Sequence, residues 1–326
     1  MPKSDVTTVL VVGCGYIGLP FARLAKGAGY QVYATTRKRE RFAELEAEGL
    51  IPVLWDVTGG DIEGLIEQIK QMADFKGTSE ERENFEATIR VPEVNHKLPL
   101  ADAVIWTVGH DRSARKSIDE VYVSGLLTTL ISLRGSPKFV YASSTGVYGD
   151  ADGDWIHELT PPNPSDETSE ACLRAEQFLG IECEIFEWSF CILRFAGIYG
   201  PGRLIGGEAL KRGEPIAGDG AAWLNLVHQQ DAALALWKAM HSGGAGEIYN
   251  IADGHPVPRQ EFYLKLAELL GTPPPKFAPE LARRQRGNRR IYAGKAREKL
   301  GWTPRLPSYV EGLEAIVTQM NGERGA

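Results

Sequence analysis

The chain has 326 residues, 43% of them hydrophobic and 24% charged, with a formal net charge of −7 at pH 7. That length can bury a sizeable core, as one large domain or two unequal ones. The acidic balance argues against general nucleic-acid binding, and the longest apolar runs are strand-length, too short to span a membrane. The N-terminus leads straight into an apolar strand, so no signal peptide is expected. Cys14, Cys172, Cys183 and Cys191 are scattered, with no C-x-x-C pair. That pattern points to reduced thiols in a cytoplasm-like compartment and away from a zinc or other metal site.

The first element is the most informative. The run Val9-Leu10-Val11-Val12 reads as a buried parallel strand and ends in Gly13-Cys14-Gly15-Tyr16-Ile17-Gly18, which passes directly into a helical pattern over 19–26. Strand, G-x-G-x-x-G and helix in that order point to a dinucleotide-binding turn, a structural turn alone being the other reading. Gly13 makes the tight turn, Gly15 lets backbone approach a pyrophosphate, and Gly18 lets the helix pack close to the strand. The helix N-terminus offers N–H groups and a positive dipole end to phosphate, and Pro20 falls in the first turn, where a missing N–H costs nothing.

A second strand over 31–35 follows the Gly27 and Gly29 break and ends in Thr35-Thr36-Arg37-Lys38-Arg39. An acid about 20 positions past the glycines would hold a ribose 2′-hydroxyl and repel a 2′-phosphate. None occurs before Glu40, whereas Arg37 can fork onto a phosphate, so the expected cofactor is NADP, with NAD possible. A solvated basic helix start is the other reading of these residues. A third strand, 51–55, ends at Asp56-Val57, which faces the adenine edge or makes a plain turn. Residues 61–72 look helical, and 76–97 are highly charged and read as a mobile surface insertion. A fourth strand over 103–108 ends in Thr107-Val108-Gly109, small enough to pass near the diphosphate and the nicotinamide ribose. A long helix over 114–133 carries an apolar stripe through Ile118, Val121, Leu126, Leu130 and Leu133. The fifth strand, 138–142, delivers Ser143-Ser144-Thr145-Gly146-Val147-Tyr148-Gly149 to the end of the sheet where open α/β folds bind ligands.

These motifs resemble the extended short-chain dehydrogenase/reductases, the NAD(P)-dependent nucleotide-sugar epimerases and dehydratases, and in particular their atypical members with G-x-G-x-x-G. The loop at 143–149 is similar to the family's S-S-x-x-V-Y-G, and 193–203 to L-R-x-x-x-x-Y-G-P-G-R. Residues Asn225 to Asp231 are similar to N-x-x-H-x-x-D, and 247–254 to G-E-x-Y-N-I-x-D-G from its glutamate onward. Lys295-Ala296 and Leu300-Gly301-Trp302 resemble the usual tail. The resemblance implies a Rossmann-like, doubly wound parallel α/β domain over 1–200, with later segments such as 225–255 contributing. It also implies a smaller C-terminal α/β substrate lobe, mainly 201–326, and a homodimer paired through the helices at 114–133 and 166–179.

The family's Y-x-x-x-K pair supplies a phenol as acid/base and a lysine that lowers its pKa. Laid without gaps from Pro164, the pattern places Thr168 at the tyrosine and Cys172 at the lysine. An alkyl hydroxyl is a poor proton shuttle at neutral pH and a thiol supplies no positive charge. Ser144 corresponds to the family hydroxyl that bonds the reacting oxygen, or is a strand-end cap. Tyr148 is the nearest phenol, and in the family it usually packs beside the site. His157-Glu158 is a further pair, on a loop where surface residues are common. By resemblance, Arg203, Asn225 and Arg290 meet a nucleotide-sugar, Arg290 closing the basic run 283–290, which otherwise reads as a solvated loop. Two functions stay open: an NADP-dependent oxidoreductase or epimerase with a non-standard proton donor, and a non-catalytic NADP-binding sensor or scaffold.

Overall fold

A computed structural model of the chain describes residues 7–58, 98–111, 113–185, 187–281 and 287–325. The helix expected at 61–72 and the charged insertion at 76–97 lie outside them. Seven strands form the central sheet: β1 (Thr8–Val12), β2 (Gln31–Thr36), β3 (Ile51–Leu54), β4 (Ala103–Trp106), β5 (Lys138–Ser144), β6 (Phe190–Phe195) and β7 (Glu247–Ile251). Their order is β7-β6-β5-β4-β1-β2-β3. Parallel registers include Val9 with Val32 and Ala103, Tyr33 with Ile51, and Ala103 with Lys138. Val9 to Val12 and Ala103 to Trp106 have no exposed surface, as all-apolar strands covered on both faces require. The fold is therefore the Rossmann-like α/β class expected. The chain runs outward from β1 to β3 and then returns to β4, so the strand order reverses between β1 and β4, where such sheets bind ligands.

Two compact units make up the chain. Unit 1 comprises Met1–Ala142, Ala171–Ile192 and Gly243–Glu247; unit 2 comprises Ser143–Glu170, Leu193–Ser242 and Ile248–Ala326. Unit 1 holds α1 (Gly18–Gly27), α2 (Phe42–Ala47) and α3 (Gly125–Ser132). The helix α4 (Glu167–Ile185) begins in unit 2 and continues in unit 1. In unit 2, α5 (Gln229–Ser242), α6 (Arg259–Leu270), α7 (Gly294–Leu300) and α8 (Tyr309–Gly325) accompany short two- and three-residue strands. Its core gathers Tyr199, Leu226, Phe262, Tyr263, Leu313 and Ile316.

The helix expected over 114–133 starts later, at Ile118, and runs through a π-helical turn, Glu120–Ser124, into α3. A capping box explains the start. Ser117 N donates to Glu120 Oε2 (2.7 Å), and Glu120 N donates to Ser117 Oγ (3.0 Å). The stripe residues Ile118, Val121, Leu126, Leu130 and Leu133 are buried within a single chain, and so is every residue of α3. The stripe thus serves this chain's own core. Among the described residues, no helix is long and apolar enough to cross a membrane.

Two buried carboxyls make stability pH-dependent. Glu182 on α4 is 2% exposed, its Oε1 has no hydrogen-bond partner among the described residues, and burial pushes its pKa up to about 7. Asp253 is 1% exposed and also raised to about 7, chiefly by burial, although His255 N donates to its Oδ1 (2.9 Å). Raised folded values mean that the folded state binds more protons than the unfolded chain between the ordinary carboxylate range and pH 7. Stability therefore falls as pH rises through that window. Burial lowers the pKa of His228, and that group acts in the opposite direction below its ordinary value. We expect denaturant unfolding of Glu182→Gln with Asp253→Asn to lose a fall of about 2 kcal/mol per carboxyl between pH 5.5 and 8. Parallel pH profiles for the native chain and the variant would contradict this.

Candidate functional site

In unit 1, β1 ends in a turn whose glycines have different surroundings. Gly13 has φ +86°, and a Cβ there would lie 2.7 Å from Val108 N. A Cβ on Gly18 would meet the Gly13 carbonyl and Thr107 Oγ1, each at 2.6 Å. Gly15 is exposed, and its Cβ would find only the Gly13 carbonyl, at 3.9 Å. Gly13 and Gly18 are thus closed by protein, while Gly15 presents bare backbone outward. Hydrogen bonds hold the turn: Gly13 N donates to Thr35 Oγ1 (3.0 Å), Thr107 Oγ1 to the Gly13 carbonyl (2.9 Å), and Gly15 N to the same carbonyl (2.7 Å). Ile17 is the N-cap of α1 and makes no side-chain cap, and no acid lies in the first turn of the helix. A helix start without a side-chain cap, beside an open glycine, suits the diphosphate of a dinucleotide. Tyr16, half-buried, completes the turn.

Around it stand the other residues expected from the sequence. Thr36 Oγ1 accepts from Lys38 N (3.2 Å) and so shapes the exit from β2. Arg37 is exposed there, and its Nη2 donates to Asp111 Oδ2 (2.9 Å). Asp56 accepts from Thr58 N (3.0 Å) and Oγ1 (2.8 Å), so its carboxylate makes a turn. Val57 is buried against Gly125 of α3, where a Cβ would come within 2.8 Å of it. One residue went unremarked in the sequence: Arg41 Nη1 donates to the Cys14 carbonyl (3.0 Å) while its fork binds Glu44. The basic run 37–41 signals it, but only the fold shows which guanidinium turns back to the glycines. Burial pushes the Cys14 thiol up to about 12, which leaves it protonated at neutral pH.

Unit 2 carries the serine–tyrosine loop. Ser144 Oγ accepts from Gly146 N (3.0 Å) and caps the short helix Thr145–Tyr148, the strand-end role open to it from the sequence. Gly146 and Gly149 press this loop onto residues 163–169. A Cβ on Gly146 would meet Ser169 Oγ at 2.6 Å, and one on Gly149, at φ +66°, would clash with the Asn163 carbonyl. Tyr148 is buried, donates from its hydroxyl to Asn250 Oδ1 (2.9 Å), and lies under the Arg194 guanidinium (4.8 Å from the ring centroid). Burial raises its pKa, with Arg194 and Asn250 opposing. Glu158 Oε1 accepts from Asn250 N (2.8 Å), while His157 Nδ1 accepts from Leu159 N (3.2 Å), so the neighbouring pair diverges.

Asp166 starts α4, its Oδ1 accepting from Thr168 N (3.0 Å) and Ser169 N (3.1 Å) and its Oδ2 from Ser169 Oγ (3.2 Å). Thr168 is half-buried in the first turn of this helix, and Cys172 is buried four residues on. Asn225 Nδ2 donates to the Arg289 carbonyl (2.9 Å), and its Oδ1 accepts from Ile291 N (2.7 Å). Arg290 is stacked between Trp155 and Trp223 (5.3 and 5.1 Å) and donates from Nε to the Gly153 carbonyl (2.7 Å). Both thus pin the segment around 290. Arg203 is exposed, its backbone N bonded to the Gly200 carbonyl (3.0 Å). Arg289, not singled out from the basic run, donates from Nη1 to the carbonyls of Gly149 and Gly287, and its Nε has no partner among the described residues. Residues 282–286 lie outside the described part. Among the described residues, no group of three or more His, Cys, Asp or Glu side chains is arranged to hold a metal.

Residues 9–252 match the NAD dependent epimerase/dehydratase family. Protein YeeZ of Escherichia coli K12 is 29% identical over 276 residues, covering 84% of this chain and 87% of that protein. The UDP-glucose 4-epimerase of Mycolicibacterium smegmatis is 28% identical over 239 residues, covering 66% and 74%. Two solved structures share the fold: a Thermotoga maritima UDP-glucose 4-epimerase with UDP-glucose (TM-score 0.71, 21% identity, 97% of this chain and 99% of that one) and a Streptomyces venezuelae dTDP-glucose 4,6-dehydratase with NAD bound (0.73, 22%, 98% of each).

The glycines separate a structural from a binding role. Gly18→Ala should unfold the chain more readily, by about 1–3 kcal/mol, because its Cβ meets the Gly13 carbonyl. Gly15→Ala should leave the melting temperature unchanged and weaken NADPH or NADH binding in a fluorescence titration. Equal effects of the two substitutions on both readouts would contradict this division.

Proposed function

Since the chain belongs to the NAD dependent epimerase/dehydratase family, we propose that it binds a nicotinamide dinucleotide through unit 1 and acts on a nucleotide-sugar-like substrate through unit 2. The open backbone at Gly15, flanked by the closed Gly13 and Gly18, carries the cofactor part of this reading. Residues 13–18 would hold the diphosphate, with Thr107 and Val108 backing the turn. The bound group would supply the hydride acceptor or donor. NADP is our preferred form, because Arg37 stands exposed at the end of β2 and no acid lies between Gly18 and Glu40. In this reading the cofactor share extends beyond unit 1 to the whole of 1–200 with 225–255, 201–326 mainly form the substrate lobe, and the protein is cytoplasmic. The names of the relatives favour a UDP- or dTDP-sugar as the substrate class.

The proton-transfer machinery is the unusual part of the proposal. Thr168 and Cys172 take the positions of the family's tyrosine and lysine, one helical turn apart on α4. Ser144 still offers its hydroxyl hydrogen to a reacting oxygen while its lone pair accepts from Gly146 N. Tyr148 is a poor substitute donor, since burial raises its pKa and its hydrogen already goes to Asn250. That observation also favours a second reading, a sensor or scaffold that binds NADP without redox turnover.

The double variant Thr168→Tyr with Cys172→Lys, assayed with NADPH or NADP and UDP-glucose, separates the two. We expect the native chain to bind the cofactor with slow or no turnover, and the variant to gain activity toward the about 10²- to 10⁴-fold that a positioned acid/base contributes. Robust native turnover that survives Thr168→Ala and Cys172→Ala and disappears in Tyr148→Phe would overturn this and make Tyr148 the donor. The homodimer is part of the same proposal, but it would have to pair through residues other than the buried stripe. Light scattering giving the mass of two chains supports it, and the mass of one overturns it.

A further inference from the structure

The end of β2 lacks the acid that would discriminate against a 2′-phosphate, yet a carboxylate stands there. It comes from Asp111, 74 residues further along, on the loop that follows β4. Its Oδ2 accepts from Arg37 Nη2 at 2.9 Å, and its Oδ1 accepts from Ser113 N (3.0 Å) and Ser113 Oγ (2.6 Å). The loop is anchored before and after this point. Thr107 and Val108 pack on Gly13, His110 Nε2 lies 2.8 Å from the Lys116 carbonyl, and His110 N donates to Tyr122 Oη (3.2 Å). The carboxylate is therefore placed by its own loop, with Arg37 coming to it. Both side chains remain open to solvent, 38% for Arg37 and 41% for Asp111, so a ligand can reach the pair.

We propose that Asp111 is a specificity-determining residue for the cofactor: its carboxylate competes with the 2′-phosphate of NADP(H) for the Arg37 guanidinium and narrows the preference for NADP(H) over NAD(H). This rests on the reading of Arg37 as the phosphate-binding residue. A 2′-phosphate that takes Arg37 must displace or share Asp111 and bear its repulsion. A 2′-hydroxyl does neither. The bonds from Ser113, and then Arg37, hold the Asp111 carboxyl down to about 2, so the competitor is ionised at any working pH. An exposed pair of this kind is weak enough for a dianionic phosphate to break.

The test is a double-mutant cycle on cofactor affinity, read by fluorescence titration of NADPH and NADH at low ionic strength. Native chain, Asp111→Asn, Arg37→Ala and the double variant are compared, with Asp111→Ala as a second version of the loop change. Asp111→Asn keeps an oxygen for Ser113 and removes the charge. We expect it to tighten NADPH by about fivefold, with the gain shrinking as salt is added, and to leave NADH within about twofold. In the Arg37→Ala background the gain should vanish. An unchanged NADPH affinity in both Asp111 variants, an equal change for both cofactors, or a gain that persists without Arg37 would overturn the inference. A native chain that prefers NADPH through Arg37 but is indifferent to Asp111 leaves the NADP reading standing. Equal native affinities that Arg37→Ala does not alter overturn that reading and this inference with it.

Discussion

Thr107 Oγ1 reaches the carbonyl of Gly13 at 2.9 Å, and the rest of unit 1's binding face follows from that contact. It ties the end of β4 to the turn after β1 at the point where the strand order reverses. The gap there is too small for any side chain at Gly13 or Gly18. The turn is therefore held tightly at Gly13 and Gly18, while Gly15 stays exposed at the start of α1. Thr35 closes the other flank by accepting from Gly13 N. A loosened contact at Thr107 would release the geometry that a diphosphate needs, even with every glycine in place.

Unit 2 is organised differently. Its polar residues are largely committed to one another: Ser144 to the backbone of Gly146, Tyr148 to Asn250, Asn250 to Glu158, and Asp166 to the start of α4. Asp231 is fully buried and accepts from the backbone N–H groups of Arg305 (2.7 Å) and Leu306 (3.0 Å), which secures the segment after Trp302. Satisfied buried networks of this kind hold a single arrangement. Asn225 and Asp231 each make two hydrogen bonds to the backbone of distant segments and so contribute to the architecture of the unit.

The parts legible in the sequence were those with a local cause. The β-branched run before Gly13 and the helical period after Gly18 place β1 and α1 within a residue of their observed ends. The carboxyl-terminal end of the helix at 114–133 was legible too, whereas its start was missed because the Ser117–Glu120 box overrides the apolar period. Contacts between distant segments were not legible. Nothing near Arg37 reveals Asp111, and nothing near Arg290 reveals that Trp155 and Trp223 enclose it. Arg37, Lys38, Arg39 and Arg41 are equally basic in sequence, and only the path of the chain after β2 turns Arg41 toward Cys14. The apolar stripe on the helix before and within α3 shows the same limit: its width suggests a second partner, and its burial within one chain supplies none.

The central claim is that the turn at 13–18 and the first turn of α1 receive a dinucleotide diphosphate. Backbone amide hydrogen exchange with and without saturating NADPH tests it most directly, because amides that gain an anionic partner exchange more slowly. New protection should concentrate at residues 16–18, because Gly15 N and Leu19 N already have backbone partners, and at the Arg37 loop, with the core strands β1 and β4 unchanged. Protection spread evenly over the chain, or none at 16–18 while NADPH is bound, would contradict it.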